Sequence, residues 1–112
     1  MKTLFIMRHA KSDWNAAYQG DHERPLNARG QQAAASMGSL LARLEQLPDR
    51  VLTSSAERAR ETIEIASTAG EWNRPIDVVH EFYASDPATV LARIHRQDDA
   101  DSSLLLVGHE PT

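Results

Sequence analysis

Short apolar runs alternate with stretches of helical period along the chain, and this alternation narrows the possible folds more than any other feature. Thr3 to Met7, Arg50 to Thr53, Ile76 to Val79 and Ser103 to Val107 read as strands. Asn27 can cap a helix from about Ala28 to Leu47, with Ala34, Met37, Leu41 and Leu44 on one face and Pro48-Asp49 at its end. Ser54 and Ser55 can cap a second helix from Glu57 to Thr68, with Ile63 and Ala66 on one side and Ala69-Gly70 as the stop. Asp86 as cap and Pro87 at the first helical position open a third, to about Arg96. Strands separated by helices predict an α/β domain: an open, mostly parallel sheet with helices on both faces and a ligand site beyond the carboxyl ends of the strands. No internal repeat or linker interrupts the 112 residues, so residues 1–112 are expected to form one domain.

Composition excludes several classes of function. The chain is 41% hydrophobic and 25% charged, the balance of a globular domain. It has no cysteine, which removes disulfides, thiolate metal sites and thiol nucleophiles. A net charge of -4 gives no electrostatic footprint for nucleic acid. The apolar start is too short for a signal peptide core, and no stretch approaches the ~20 apolar residues that span a bilayer. A cytoplasmic protein without membrane partners is the expectation.

Two of the strand candidates end alike, in Met7-Arg8-His9 and Val107-Gly108-His109. Parallel packing would bring both histidines and Arg8 to one edge, and the second strand would add Thr53-Ser54-Ser55 with Arg58 one turn into the following helix. Guanidinium forks match phosphate oxygens and helix amino ends favour negative charge, so this set predicts a site for a dianionic phosphoryl group. An Arg-His pair alone proves little; the combination carries the inference. Lys11 to Arg24 reads as a long loop beside that site, a length that usually signals function. His22, His80 and His95 show no metal-ligand spacing and are expected on the surface. Trp14 lies in the site loop, whereas Trp72 is expected to pack locally.

Arg8-His9-Ala10-Lys11-Ser12 with Trp14-Asn15 resembles the Arg-His-Gly signature of the histidine phosphatase superfamily, with alanine in place of the usual glycine as in its SixA-like branch. Arg24-Pro25-Leu26-Asn27-Ala28-Arg29-Gly30, Thr53-Ser54-Ser55-Ala56-Glu57-Arg58-Ala59-Arg60-Glu61-Thr62 and Leu106-Val107-Gly108-His109-Glu110-Pro111 follow in that family's order. The resemblance implies a phosphoglycerate mutase-like three-layer α/β/α fold and a phosphohistidine phosphatase of the SixA type. Its members usually continue past the Gly-His-Glu-Pro motif, so the domain is expected to be incomplete at its carboxyl end. An exposed sheet edge and self-association would follow.

By the same resemblance His9 attacks phosphorus and becomes a phosphohistidine, Arg8, Arg58 and His109 hold the equatorial oxygens, and water hydrolyses the intermediate. No metal or cofactor is implied. Attack needs a neutral His9, which the surrounding cations favour, whereas His109 can stay a charged donor. Ser12 and Asn15 resemble positions that lend hydrogen bonds to phosphate, and a solvated loop accounts for them equally well. Glu81 stands where the superfamily often puts a carboxylic acid for the leaving group. Asp86 is the alternative, and a leaving imidazole accepts a proton readily enough to need neither. The partner would be a protein carrying phosphohistidine or a small phosphorylated substrate. Within the superfamily the competing readings are a small-molecule phosphatase or a mutase; outside it, a module that binds phosphate without turnover.

Overall fold

The computed structural model describes residues 3–13, 20–82, 87–95 and 102–108, apart from the side chains of Asp21, Glu81, Pro87 and Leu91. Among the described residues, strands β1 (Thr3–Arg8), β2 (Arg50–Ser54), β3 (Ile76–Val79) and β4 (Ser103–Gly108) form one sheet in the order β1-β4-β2-β3. All three pairings are parallel. Parallel neighbours need long crossovers, and helices α1 (Ala28–Arg43), α2 (Glu57–Gly70) and α3 (Pro87–His95) lie in them. Single turns of 3-10 helix add Asp21–Glu23 and His80–Phe82.

Alternating side chains divide the core between the two faces of the sheet. On one face Val51, Leu105 and Val107 pack with Ala59, Ile63 and Ala66 of α2, and Phe5, Met7 and Leu41 close in around them. On the other, Leu52, Val79, Phe82 and Leu106 meet Val90 and Ile94 of α3. Helices on both faces were expected and are found. The apolar run at Thr3 to Met7 was expected to be a buried strand, yet among the described residues β1 is an outer strand covered on one face only. Leu4 and Ile6, on its other face, are 45% and 75% exposed.

Asn27 caps α1 as the sequence predicts, its Oδ1 accepting from the Gly30 amide at 2.7 Å. The face that α1 buries coincides only in part with the expected one: Ala34 is buried and Leu41 packs against the core. Gly30, Ala34 and Gly38 are buried, whereas Met37 and Leu44 are 43% and 57% exposed. Close approach explains the choice: a Cβ at Gly38 would lie 2.0 Å from the Ala66 carbonyl oxygen of α2, and one at Gly30 would lie 2.1 Å from the Lys11 carbonyl oxygen. Backbone meets backbone there, and only glycine leaves room. Trp72, expected to pack locally, instead closes this seam between helices by donating from Nε1 to the Gly38 carbonyl at 3.0 Å, 34 positions away.

Helix α2 starts without the serine cap that its sequence suggests. Ala56 occupies the cap position, and its side chain makes no cap bond to the first turn. Ser54 Oγ accepts from the Ala56 amide at 3.3 Å, and Ser55 Oγ pairs with His22 at 2.8 Å, so both hydroxyls are committed elsewhere. The helix runs through Gly70, and Glu71 makes the left-handed turn with φ 53°.

Candidate active site

The register of the sheet sets the site. Arg8 lies opposite Gly108, and the next amide, that of His9, donates to the Gly108 carbonyl at 3.0 Å. His9 therefore leaves β1 at the carboxyl edge, beside the end of β4. Strand β2, next across the sheet, ends at that edge in Ser54 and leads through Ser55 into α2.

His9 is half-buried, with Nδ1 2.6 Å from the Ala10 carbonyl oxygen. A carbonyl only accepts, so Nδ1 carries the hydrogen, and in the neutral ring the lone pair falls on Nε2. Burial, the largest effect, lowers the pKa of His9 below the ordinary histidine value; the Arg58, Arg24 and Arg8 guanidiniums lower it further, against the raising effect of the Ala10 bond. The ring is a neutral base at neutral pH, in a tautomer set by the backbone.

One face of α2 organises the surroundings, since residues three and four apart share a side. Arg58, 4% exposed, bears on His9. Glu61 accepts the Leu26 amide at 2.8 Å. The Thr62 hydroxyl accepts the Ala10 amide at 2.9 Å and donates to the Arg58 carbonyl at 2.7 Å, so the helix that supplies Arg58 also fixes the residue that orients His9.

The loop after His9 is tied to the segment before α1. The Asp13 amide donates to the Pro25 carbonyl at 2.8 Å, and the Asn27 amide to the Lys11 carbonyl at 3.0 Å. Between them Ser12 and Leu26 form an antiparallel bridge. Ser12 is no solvated loop residue: it is 8% exposed, and its Oγ accepts from Arg24 Nη1. Arg24, 5% exposed, is held so that its charge acts on His9.

Of the residues expected to form the site, Arg8, His9, Ser12 and Arg58 are gathered at this edge. His109, Asn15, Asp86 and the Glu81 side chain lie outside the described residues, as does Trp14. Sequence reasoning missed Arg24, although the Arg24-Pro25-Leu26-Asn27 motif was its signal. It also placed His22 on the surface. His22 is instead half-buried, with Nε2 2.8 Å from Ser55 Oγ; His80 and His95 are exposed as expected. Among the described residues no three His, Asp or Glu side chains are grouped to hold a metal, and no helix is long and apolar enough to cross a membrane.

Comparison with known proteins bears on the family and the fold. An uncharacterized protein of Mycobacterium tuberculosis is 41% identical over 106 residues, covering 95% of this chain and 64% of the relative. The chain thus spans less than two thirds of that relative's length. More partial relatives include a 2,3-bisphosphoglycerate-dependent phosphoglycerate mutase of Mycobacterium leprae, 38% identical over 62% of this chain and 29% of the mutase. The solved structure of SixA from Agrobacterium tumefaciens superposes with a TM-score of 0.89 at 34% identity, over 100% of this chain and 72% of that one. The structure of the protein histidine phosphatase SixA complexed with tungstate gives 0.85 at 28% identity, over 96% and 69%. The fold is therefore phosphoglycerate mutase-like. Residues 4–83, which carry His9, Arg24 and Arg58, match the family model for branch 1 of the histidine phosphatases, and the chain belongs to the histidine phosphatase superfamily.

Proposed function

We propose that this chain is a phosphohistidine phosphatase that works through a phosphoryl group carried on His9. The observation that carries the reading is a neutral imidazole, fixed as the Nδ1–H tautomer by the Ala10 carbonyl and set among the Arg8, Arg24 and Arg58 guanidiniums. Such a base is a nucleophile placed where a phosphoryl group would be held. Phosphoryl transfer asks a protein mainly for position and for charge around three equatorial oxygens. The solved SixA structure is a complex with tungstate, an oxyanion of phosphate-like shape, which supports a fold that takes up such an anion.

In the first step His9 Nε2 forms a bond to phosphorus as the bond to the leaving nitrogen breaks, and that leaving imidazole takes up a proton. In the second, water attacks phosphorus, the P–Nε2 bond breaks, and phosphate leaves with His9 restored. Arg8, Arg58 and His109 hold the oxygens, with Arg24 added to the set; Ser12 acts through Arg24. Asn15 would add a hydrogen bond to the phosphoryl group. A leaving imidazole needs little help from an acid, which leaves Glu81 a minor part.

The test mixes the chain with a phosphoramidate donor, quenches in alkali and locates the phosphoryl group by mass spectrometry. Labelling on His9, followed by release and abolished in His9→Ala, is expected; Arg58→Ala should slow it on the order of 10²-fold or more. No label on folded protein would overturn the reading. A higher kcat/KM for phosphomonoesters than for a phosphohistidine peptide would replace the substrate class with that of a small-molecule phosphatase, and transfer of phosphate between carbon-bound oxygens would make the chain a mutase.

A further inference from the structure

We infer that His22 is a positioning residue of the phosphoryl site: bonded to Ser55, it clasps the segment that supplies Arg24 to the start of the helix that supplies Arg58. The inference rests on the reading of His9 as the centre of that site.

Four observations lead to it. His22 belongs to the single turn Asp21–Glu23, two residues before Arg24, and its Nε2 lies 2.8 Å from the hydroxyl of a residue 33 positions away. Ser55 is 3% exposed and stands between the end of β2 and the cap residue of α2, three residues before Arg58. Arg24 and Arg58 are both buried and both act on His9, one from each side of this bond. Finally, the cap residue of α2, Ala56, offers no side-chain bond to the first turn, and the bond from Ser55 to His22 anchors this helix start to a segment outside its own.

The two sides are tied together at other points as well. Glu61 holds Leu26, downstream of Arg24, and Ser12 holds the Arg24 guanidinium itself. The His22–Ser55 bond is the tie upstream of Arg24. With a hydrogen bond on each side in sequence, the Arg24 backbone has little freedom to swing away from His9. Glu23, whose Oε1 is 3.6 Å from His22 Nδ1, favours the ring orientation that keeps Nε2 on the serine. The clasp fixes the separation of two guanidiniums, and preorganised charge is what a phosphoryl group requires of its site.

Inorganic phosphate is the probe, because its binding does not depend on turnover. His22→Ala and Ser55→Ala should each weaken phosphate binding about tenfold, the effect of losing one hydrogen bond of roughly 1.4 kcal/mol. The double variant should be no worse than either single one, because both remove the same bond. His22→Gln, whose amide reaches the place of Nε2, should recover most of the affinity. In His22→Ala the NMR titration of His9 should move up toward the ordinary histidine value as Arg24 relaxes away, a change that general loosening of the surface would not give. Parental phosphate affinity in folded His22→Ala, or additive losses in the double variant, would overturn the inference. Either result leaves His9 labelling in the parent untouched, so this failure is separate from failure of the proposed function.

Discussion

Replacing Thr62 with valine keeps the shape of the side chain and deletes one hydroxyl that serves two partners. Thr62 is 2% exposed, so solvent has little access to the place of the missing group. The Arg58 carbonyl retains the helical amide four residues on and loses only a second bond. The Ala10 amide, 2.9 Å from the hydroxyl, is the group left short. Stranding a buried donor costs about 1–3 kcal/mol, and because Ala10 is half-buried the cost should fall in the lower half of that range. Thr62→Ser keeps both bonds and loses a methyl, at about 0.8 kcal/mol. Urea unfolding should therefore rank the proteins parent, serine, valine, with the midpoint shifted at constant m. The same substitution reaches the chemistry, because Ala10 supplies the carbonyl that fixes the His9 tautomer. Phosphoryl uptake on His9 should slow in the valine protein and stay near parental in the serine one. A valine protein as stable as the serine protein, with undiminished uptake, would refute the claim that Thr62 couples α2 to His9.

Gly38→Ala should destabilise the fold by about 1–3 kcal/mol despite the better helix propensity of alanine, because its Cβ would meet the Ala66 carbonyl at 2.0 Å; unchanged thermal unfolding would contradict the packing. Burial and the guanidiniums hold the pKa of His9 low, and protonation removes the lone pair that attacks. The labelling rate should accordingly stay flat as pH falls through the ordinary histidine value and drop only below it, whereas an acid limb above about 6.5 would count against a neutral His9. The open face of β1, with Leu4 and Ile6, predicts concentration-dependent self-association that Ile6→Lys suppresses; sedimentation as a monomer at every concentration would refute it.

The alternation of elements was legible because hydrophobic period and cap residues are local signals, and the ends of the strands carried their chemistry with them. Parallel order then did much of the rest: β1 and β4 are neighbours, and their register sets Arg8 opposite Gly108. What escaped the sequence depends on distant partners. Periodicity selected Met37 and Leu44 for the buried face of α1, because apolar size is what a hydrophobic pattern records, whereas the contact with Ala66 selects for lack of size. Ser55 was read as a cap, and nothing within its own segment shows that His22, 33 residues away, takes its hydroxyl. The burial of β1 was overestimated for a related reason, since an apolar run looks the same in a central strand and in an outer one. Arg24 lay inside a recognised motif, but its bearing on His9 depends on Ser12, which reaches it across the loop.

The seam along α1 also sets which positions in this chain can vary. Where helix backbone rests on carbonyl oxygens, as at Gly30 and Gly38, even one methyl group has nowhere to go, and at Gly30 the displaced neighbour would be the segment that leads on to Ser12 and Arg24. On the outer side of the same helix, Met37, Leu40 and Leu44 project into solvent and should accept polar replacements freely. In a library of random variants Met37, Leu40 and Leu44 would drift, whereas Leu41 and the two small residues Gly30 and Gly38 would stay fixed.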